Sequence, residues 1–283
     1  MKATMLAIVL GLLATPVAAQ FGPPPPPADP NAPTPRLASG KPDLSGSWQG
    51  VSGGQQGSGG DMFRRCTPFQ TKNCMEWTNQ SEDWVFMSAT RLDQRQPLYK
   101  PEYWDKIIDL DQWTNKYDPV MTCLPLGIPR QGPPARIFQT DKDITMIYRG
   151  GVDGGGGYAE FRMIPTDGRK HDPQRALQYT YMGYTVGDWQ GDTLVLDSIG
   201  FSDETWFGRG GFFHSDQMHI VEKFTRKGNE ILYEVTVEDP EVLVKPWVIP
   251  ARTLRLSTAN ALIPERGSCT ESEHSEVSSQ FRH

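Results

Sequence analysis

The sequence has no concentration of basic residues. Its 28 lysines and arginines are outnumbered by 34 aspartates and glutamates, and the formal net charge is −6. Proteins that bind nucleic acid neutralise phosphates with a basic stripe, and no such stripe occurs along this chain. We therefore expect no nucleic-acid partner.

Long apolar runs are also scarce. A membrane-spanning helix needs about 20 apolar residues, and the one pronounced apolar run, Ala3–Leu13, is shorter than that. It follows Lys2 and precedes the small residues Val17–Ala19, a pattern typical of a secretory signal peptide cleaved after Ala19. The sequence thus predicts an exported protein, periplasmic or secreted, with residues 1–19 removed and no transmembrane segment.

Cysteine is limited to four residues. No C-x2-C pair is present, which disfavours a structural zinc site. In an oxidising compartment an even number of cysteines predicts two disulfide bonds, for which three connectivities are open. We favour a local bond between Cys66 and Cys74 and a long-range bond between Cys123 and Cys269, which would tie the C-terminal tail to the body.

Two stretches are poor in residues that build a core. Residues 20–42 are dominated by proline, including Pro23–Pro27, and are predicted to form a disordered or semi-rigid leader. Ser52–Gly60 is rich in glycine, serine and glutamine, as flexible loops are. The remainder, residues 43–283, is predicted to be a single β-rich domain.

Strand signals and turn signals alternate from Pro129 onward. The expected strands are Arg136–Gln139, Ile144–Tyr148, Tyr158–Ile164, Tyr179–Trp189, Thr193–Ile199, Met218–Arg226, Glu230–Val237 and Trp247–Leu256. Sequential strands joined by tight turns form antiparallel meanders. The predicted class is therefore all-β, a barrel or curved two-layer sheet with long loops and one short helix at Pro101–Leu110, where Tyr103, Trp104, Ile107 and Ile108 share a side.

Several segments resemble known families. Asp43–Trp48 resembles the G-x-W first strand of lipocalin-like (calycin) barrels, in which the tryptophan closes one end. Further segments resemble a family of uncharacterised exported bacterial proteins: Gly40–Trp48, Cys123–Arg130, Trp189–Phe201, His214–Phe224 and Glu238–Pro240 with Pro246–Trp247. The resemblance implies export and a single domain, and it implies no catalytic residue. The segment Cys66–Trp84 departs from the family pattern and is a candidate for specialised binding.

One expected strand carries an acidic residue on its apolar face. Period-two alternation places Met218, Ile220, Glu222, Phe224 and Arg226 together, and three of these five are apolar, so this face should point inward. A carboxylate there must be paired or protonated. Glu222 is therefore either an acid/base group or a member of a structural ion pair with Arg226 or with an arginine of a neighbouring strand.

A second carboxylate raises a related hypothesis. Asp197 shares its face with Val195 and Ile199. If both strands line one cavity, Glu222 and Asp197 would form the two-carboxylate arrangement that acid/base hydrolysis uses. The alternative is that Asp197 ends its strand and caps the following turn.

The segment 201–216 is predicted to be a loop, and it is dense in aromatic and polar groups. We expect His214 to be a proton-transfer group that Asp203 or Asp216 orients. The alternative is that His214 and Asp216 cap a turn while Trp206 covers the mouth of the barrel.

Three other chemistries are disfavoured. A metal site built on His214 and His219 lacks the H-E-x-x-H spacing, so no metal and no cofactor are predicted. Ser215 has no G-x-S-x-G elbow around it. The glycine run Gly150–Gly157 lacks the Gly-Lys-Ser/Thr ending of a phosphate loop.

Three functions remain. The first is a lipocalin-like protein that binds a small, partly apolar or aromatic ligand among Trp206, Ile220, Phe224 and Arg226. The second is an extracytoplasmic lyase, hydratase or glycoside hydrolase that uses His214, Glu222 and an aspartate. The third is a surface interaction protein in which the proline-rich leader is a spacer. Neither the ligand nor the oligomeric state follows from the sequence.

Overall fold

Most of the described chain is antiparallel sheet. The computed structural model describes residues 32–50, 97–149, 160–208, 210–257 and 263. The strands are β1 (Gly46–Gly50), β2 (Arg136–Gln139), β3 (Asp143–Ile147), β4 (Phe161–Pro165), β5 (Tyr184–Gln190), β6 (Thr193–Ile199), β7 (Trp206–Gly208), β8 (Phe212–Phe213), β9 (His219–Lys227), β10 (Glu230–Glu238) and β11 (Trp247–Leu256). The all-β prediction is confirmed.

Nine of these strands form one sheet, in the order β4-β3-β2-β1-β11-β10-β9-β6-β5. Its two end strands, β4 and β5, approach each other, so the sheet curls into a nearly closed barrel. The two strands share no ladder, and we call the line between them the seam. At one point beside it the Gly168 amide donates a hydrogen bond to the Gly187 carbonyl at 3.2 Å. A Cβ atom at Gly187 would lie only 3.0 Å from the Leu196 side chain and 3.1 Å from the Thr166 side chain. The lack of a Cβ at Gly187 therefore permits the two strands to approach closely here.

Alternation along β9 and β10 builds much of the core. On β9 the residues Ile220, Glu222, Phe224 and Arg226 are buried, whereas Lys223 is exposed, as period-two alternation predicts. The turn between β9 and β10 places Gly228 at φ +57°, a conformation that side-chain-bearing residues adopt at a cost. This turn fixes the register of the hairpin.

The first strand contributes a buried tryptophan. Trp48 is 3% exposed, and its indole N–H donates to the Leu44 carbonyl at 2.9 Å. The Arg226 guanidinium lies 5.0 Å from the centroid of the Trp48 ring. Residues 32–42, which composition assigns to the leader, also contact the barrel, because the Arg36 guanidinium bonds the Asp192 carboxylate at 2.7 and 2.8 Å.

The helices are short and lie in the connections. They are α1 (Trp104–Gln112), α2 (Thr114–Tyr117) and α3 (Pro173–Ala176), with 3-10 turns at Pro101–Tyr103 and Pro119–Thr122. The predicted helix after Pro101 is present, and Ile107 on its inner side is fully buried. Within the described part of the chain, no helix is both long and apolar enough to cross a membrane.

Some predicted boundaries are wrong. The strand expected from Tyr179 begins at Tyr184, because a turn precedes it in which Gly183 adopts φ +70°. The ribbon of β7 and β8 was expected to be loop. Residues 1–19, for which a signal peptide is predicted, lie outside the described residues, as do Ser52–Gly60 and Gly150–Gly157.

The cysteine predictions are testable only in part. Cys123 is disulfide-bonded. Cys66, Cys74 and Cys269 lie outside the described residues, so the pairing of the four cysteines stays a prediction.

Candidate functional site

The barrel interior contains one deeply buried carboxylate. Glu222 is fully buried, and its neighbours on the inner wall are apolar: Ile220 and Phe224 along β9, Leu196 opposite it on β6, and Val235 opposite it on β10. A charge in such surroundings is very costly unless it is paired.

The partner of Glu222 comes from across the barrel. Nη1 of Arg162, on β4, lies 2.6 Å from Oε2 of Glu222. Nε of Arg162 donates to the Tyr148 hydroxyl at 2.8 Å, and Nη2 contacts the same oxygen. Burial opposes the charge on Arg162, but the Glu222 carboxylate and the Tyr148 oxygen together raise the pKa of the guanidinium above its ordinary value. The guanidinium therefore stays charged inside the barrel.

A second tyrosine completes the arrangement. The Tyr233 hydroxyl donates to Oε1 of Glu222 at 2.8 Å, and its ring centroid lies 4.8 Å from that of Phe224. Burial, followed by the Glu222 charge, raises the pKa of Tyr233 well above its usual range, so the hydroxyl keeps its proton. Oε2 faces the Arg162 guanidinium, whose Nη1 is 2.6 Å away.

We call Glu222, Arg162, Tyr148, Tyr233 and Thr185 the interior cluster. Thr185, on β5, lies 3.4 Å from Nη1 of Arg162 and bonds Ser198 at 2.8 Å. The cluster presents a carboxylate oxygen, a guanidinium and hydroxyls within an apolar wall. Such a set can hold the polar group of a partly apolar molecule, and the carboxylate can accept a proton.

Comparison with family models, curated proteins and solved structures gives no match. The assignment of a site therefore depends on the geometry of this chain. Sequence reasoning placed Glu222 inside, together with Ile220 and Phe224, and the structure places all three there. It missed Arg162, Tyr148 and Tyr233.

Arg226 does not pair with Glu222. It lies against the Trp48 ring, and its Nε donates to the Gly228 carbonyl at 2.8 Å. Burial lowers its pKa, although the nearby Asp43 carboxylate opposes this. The ion-pair interpretation of Glu222 is thus right in kind, but the partner is Arg162 on a strand that is not adjacent to β9.

Asp197 does not line the interior. On β6 the buried residues are Leu194, Leu196 and Ser198, so the face that Asp197 occupies is the outer one. Its side chain is 41% exposed and contacts His171 and His219. The hypothesis of a shared cavity for Asp197 and Glu222 is therefore wrong, because the two side chains project from opposite faces of the same wall.

The segment 201–216 does not form the expected proton-transfer group. His214 is 3% exposed, and its Nδ1 lies 2.8 Å from the Ser215 carbonyl, which can only accept. Nδ1 must therefore carry the proton, and Nε2 accepts from Thr205 at 2.7 Å. Asp203 and Asp216 are exposed, and neither holds a ring nitrogen.

Trp206 is also a core residue. It is 6% exposed, on β7 opposite Phe213 of β8. In the ranges that the structure covers, no group of three or more histidines, cysteines and acids is arranged to hold a metal ion.

His214 gives a prediction about protonation. Burial lowers its pKa, against the opposing effects of the Ser215 carbonyl and the Asp239 charge. Because the folded value lies below the unfolded one, near 6.5, this residue's contribution to stability is lost as the pH falls below that value. We expect nitrogen NMR to show that the His214 ring, neutral with its proton on Nδ1, takes up a second proton only at a lower pH than an ordinary histidine does.

The same spectrum contains an internal control. The pKa of His219 is raised chiefly by its hydrogen bond to Asp197, so its ring should lose its proton at a higher pH than His214 does. A His214 ring that titrates together with His219, or above it, would contradict the burial argument.

Proposed function

We propose that this protein is an exported, lipocalin-like β-barrel protein that binds a small, partly apolar or aromatic molecule inside the barrel. The observation that carries the proposal is the interior cluster. Apolar residues surround a buried carboxylate that lies between the Arg162 guanidinium and the Tyr233 hydroxyl. Charged groups are costly inside an apolar wall, and such groups are concentrated at functional sites.

The chemistry of the cluster defines the ligand class. A hydroxyl, amine or amide N–H of the ligand would bond the Glu222 carboxylate, while its apolar part would lie against Ile220, Phe224 and Leu196. Export agrees with the N-terminal pattern of residues 1–19 and with the resemblance to exported bacterial proteins.

The first test is native mass spectrometry of protein purified from its natural source. We expect a retained molecule of a few hundred daltons, the size that barrel interiors and pockets accept. Recovery of the bare chain in every preparation would count against a carrier.

The second test uses the fluorescent probe anilinonaphthalene sulfonate. Tyr233→Phe removes only the hydroxyl that bonds Glu222 and leaves that carboxylate less neutralised. We therefore expect saturable binding of the anionic probe to weaken severalfold, because the sulfonate is repelled more strongly. The matched control is Met163→Gln, because Met163 is 71% exposed on the outer wall. Binding that responds to Met163→Gln and not to Tyr233→Phe would place the probe outside the barrel and overturn the proposal.

The second candidate is an acid/base enzyme on the same barrel. The favouring observation is that one carboxylate, Glu222, is flanked by a hydroxyl donor and a guanidinium. An enzyme would convert the molecule recovered from the natural source, and Tyr233→Phe would reduce that conversion. A carrier would return the molecule unchanged after prolonged incubation.

A further inference from the structure

A second group of titratable side chains lies on the outer wall of the barrel. Nε2 of His171 is 2.7 Å from Oδ1 of Asp197, and Nε2 of His219 is 3.0 Å from Oδ2. Nδ1 of His219 lies 3.2 Å from Oε2 of Glu238. We call these four residues the clasp. The Asp197 carboxylate bridges His171 and His219, and the His219 imidazole bridges Asp197 and Glu238.

The clasp joins a connection to the barrel wall. His171 lies in residues 166–183, which link β4 to β5, whereas Asp197, His219 and Glu238 stand on β6, β9 and β10. The connection also contacts β5, because the Asp172 amide donates to the Tyr184 hydroxyl at 3.3 Å. The connection 166–183, which begins and ends at the seam, is thus fastened to β6, the strand next to β5.

The seam is the weakly joined line of the barrel. β9 and β10 pair along their whole length, but no ladder joins β4 to β5. Besides the buried Arg162–Glu222 pair, the contacts that the described residues make at this line include the Gly168–Gly187 hydrogen bond and the 3.4 Å contact between Arg162 and Thr185. Local opening should therefore cost least at the seam.

We propose that the clasp is a pH-sensitive fastening that holds the β4–β5 connection across the seam and so controls access to the barrel interior. The access role rests on the proposed function, since Arg162 and Thr185 of the interior cluster stand on opposite sides of the seam. The fastening itself does not depend on any ligand.

The charges of the clasp set the direction of its response. The hydrogen bond to Asp197 raises the pKa of His219 despite burial, with Glu238 adding to the effect. Its contribution to stability is full below the unfolded value near 6.5 and is lost as the pH rises through the higher folded value. The hydrogen bond from His219 lowers the pKa of Asp197 from its ordinary value of 3.8. The contribution of Asp197 to stability is therefore lost only when the pH falls below that value. The clasp is therefore firmest in mild acid and loosens as the pH rises through the raised pKa of His219.

The deprotonated state explains the loosening. Neutral His219 can still donate from Nε2 to Asp197, but Nδ1 then presents a lone pair to the Glu238 carboxylate. The fastening thus loses its link to β10 when His219 loses its proton.

Other charged groups surround the clasp. The His171 ring packs on the Tyr184 ring of β5, with 5.0 Å between their centroids. The Arg175 guanidinium lies 5.0 Å from the centroid of the Tyr184 ring. Asp188 of β5 lies beside Gly168. Carboxylates, guanidinium groups and phenols do not normally titrate between about pH 5.5 and 8. His219, whose pKa is raised by its carboxylate partners, therefore accounts for a response in that interval.

The test is hydrogen exchange of the Gly168 amide, which donates across the seam. It is measured on the mature protein at about pH 5.5 and 8 and corrected for the intrinsic exchange rate. We expect protection in the wild type to fall at least about threefold at the higher pH. His219→Gln should show low protection at both pH values, and His171→Gln should behave in the same way.

Two comparisons keep the test specific. Glu230→Gln alters a part-exposed ion pair with Arg255 that contains no histidine, and it should retain the wild-type response. His214 has the opposite pH dependence, but it is present in both the wild type and His219→Gln. Its effect therefore cancels when the pH dependence of Gly168 protection in His219→Gln is subtracted from that of the wild type. An unchanged pH response in His219→Gln would overturn the fastening.

The access role has its own readout. The association rate of anilinonaphthalene sulfonate should rise with pH in the wild type and be insensitive to pH in His219→Gln. If exchange responds and the association rate does not, the seam is fastened by the clasp but is not the entrance. A failure of the probe to bind at all would contradict the proposed function and leave the exchange result to decide the fastening.

Discussion

Replacement of Arg162 by methionine is expected to lower the free energy of unfolding by about 3–5 kcal/mol, the usual cost of leaving one member of a buried ion pair alone. Arg162 and Glu222 have side chains that are 4% and 0% exposed. Without the guanidinium, Glu222 would keep only the Tyr233 hydroxyl as a donor. Urea denaturation followed by tryptophan fluorescence measures the loss.

A double variant separates the pair from packing. Arg162→Met with Glu222→Leu removes both charges, and we expect it to be more stable than Arg162→Met, because no unpaired charge remains inside. Recovery should be incomplete, since Tyr148 and Tyr233 lose their polar partners. The matched surface control, Glu230→Gln, should cost less than about 1 kcal/mol. If Arg162→Met cost no more than this control, the interior cluster would not be a buried ion pair.

The Arg162–Glu222 pair also shows how far the sequence predicts this site. On β9 three apolar residues mark one face, so the inward position of Glu222 could be predicted. On β4 the exposed residues are Phe161 and Met163, whereas the buried ones are Arg162 and Ile164. Hydrophobicity favours the wrong face there. The inward position of Arg162 depends on the charge of Glu222. The two residues stand on strands that are not adjacent in the sheet, so they meet only after the barrel has curled.

The same reasoning explains the failure at Asp197. A strand that alternates leucine with valine and isoleucine, as β6 does, is apolar on both faces, so the pattern does not identify the inner one. Leu194 and Leu196 point inward, and Val195 shares the outer face with Asp197. The loop 201–216 misled for another reason: its aromatic residues form a buried ribbon, which removes His214 from solvent.

Replacement of Asp118 by asparagine is expected to have a comparably large effect, about 3–5 kcal/mol. Nη1 and Nη2 of Arg130 bond the two Asp118 oxygens at 2.7 and 2.8 Å, and both side chains are 2% exposed. Asp118 also accepts from the Val120 amide at the start of a 3-10 turn. Asparagine can keep that cap but not the charge, so the variant isolates the ion pair.

The matched control for this variant is Asp172→Asn. Asp172 caps α3 in the same manner, through the Gln174 amide at 2.8 Å, but it is exposed and is held by no arginine in the described contacts. Because asparagine and aspartate are similar as helix caps, its cost should be small, well under about 1 kcal/mol. Urea unfolding midpoints, compared at an unchanged slope, give both values. Equal losses for the two variants would mean that the Arg130–Asp118 pair does not contribute to stability. A large loss confined to Asp118→Asn would show that this pair anchors the segment that carries Cys123.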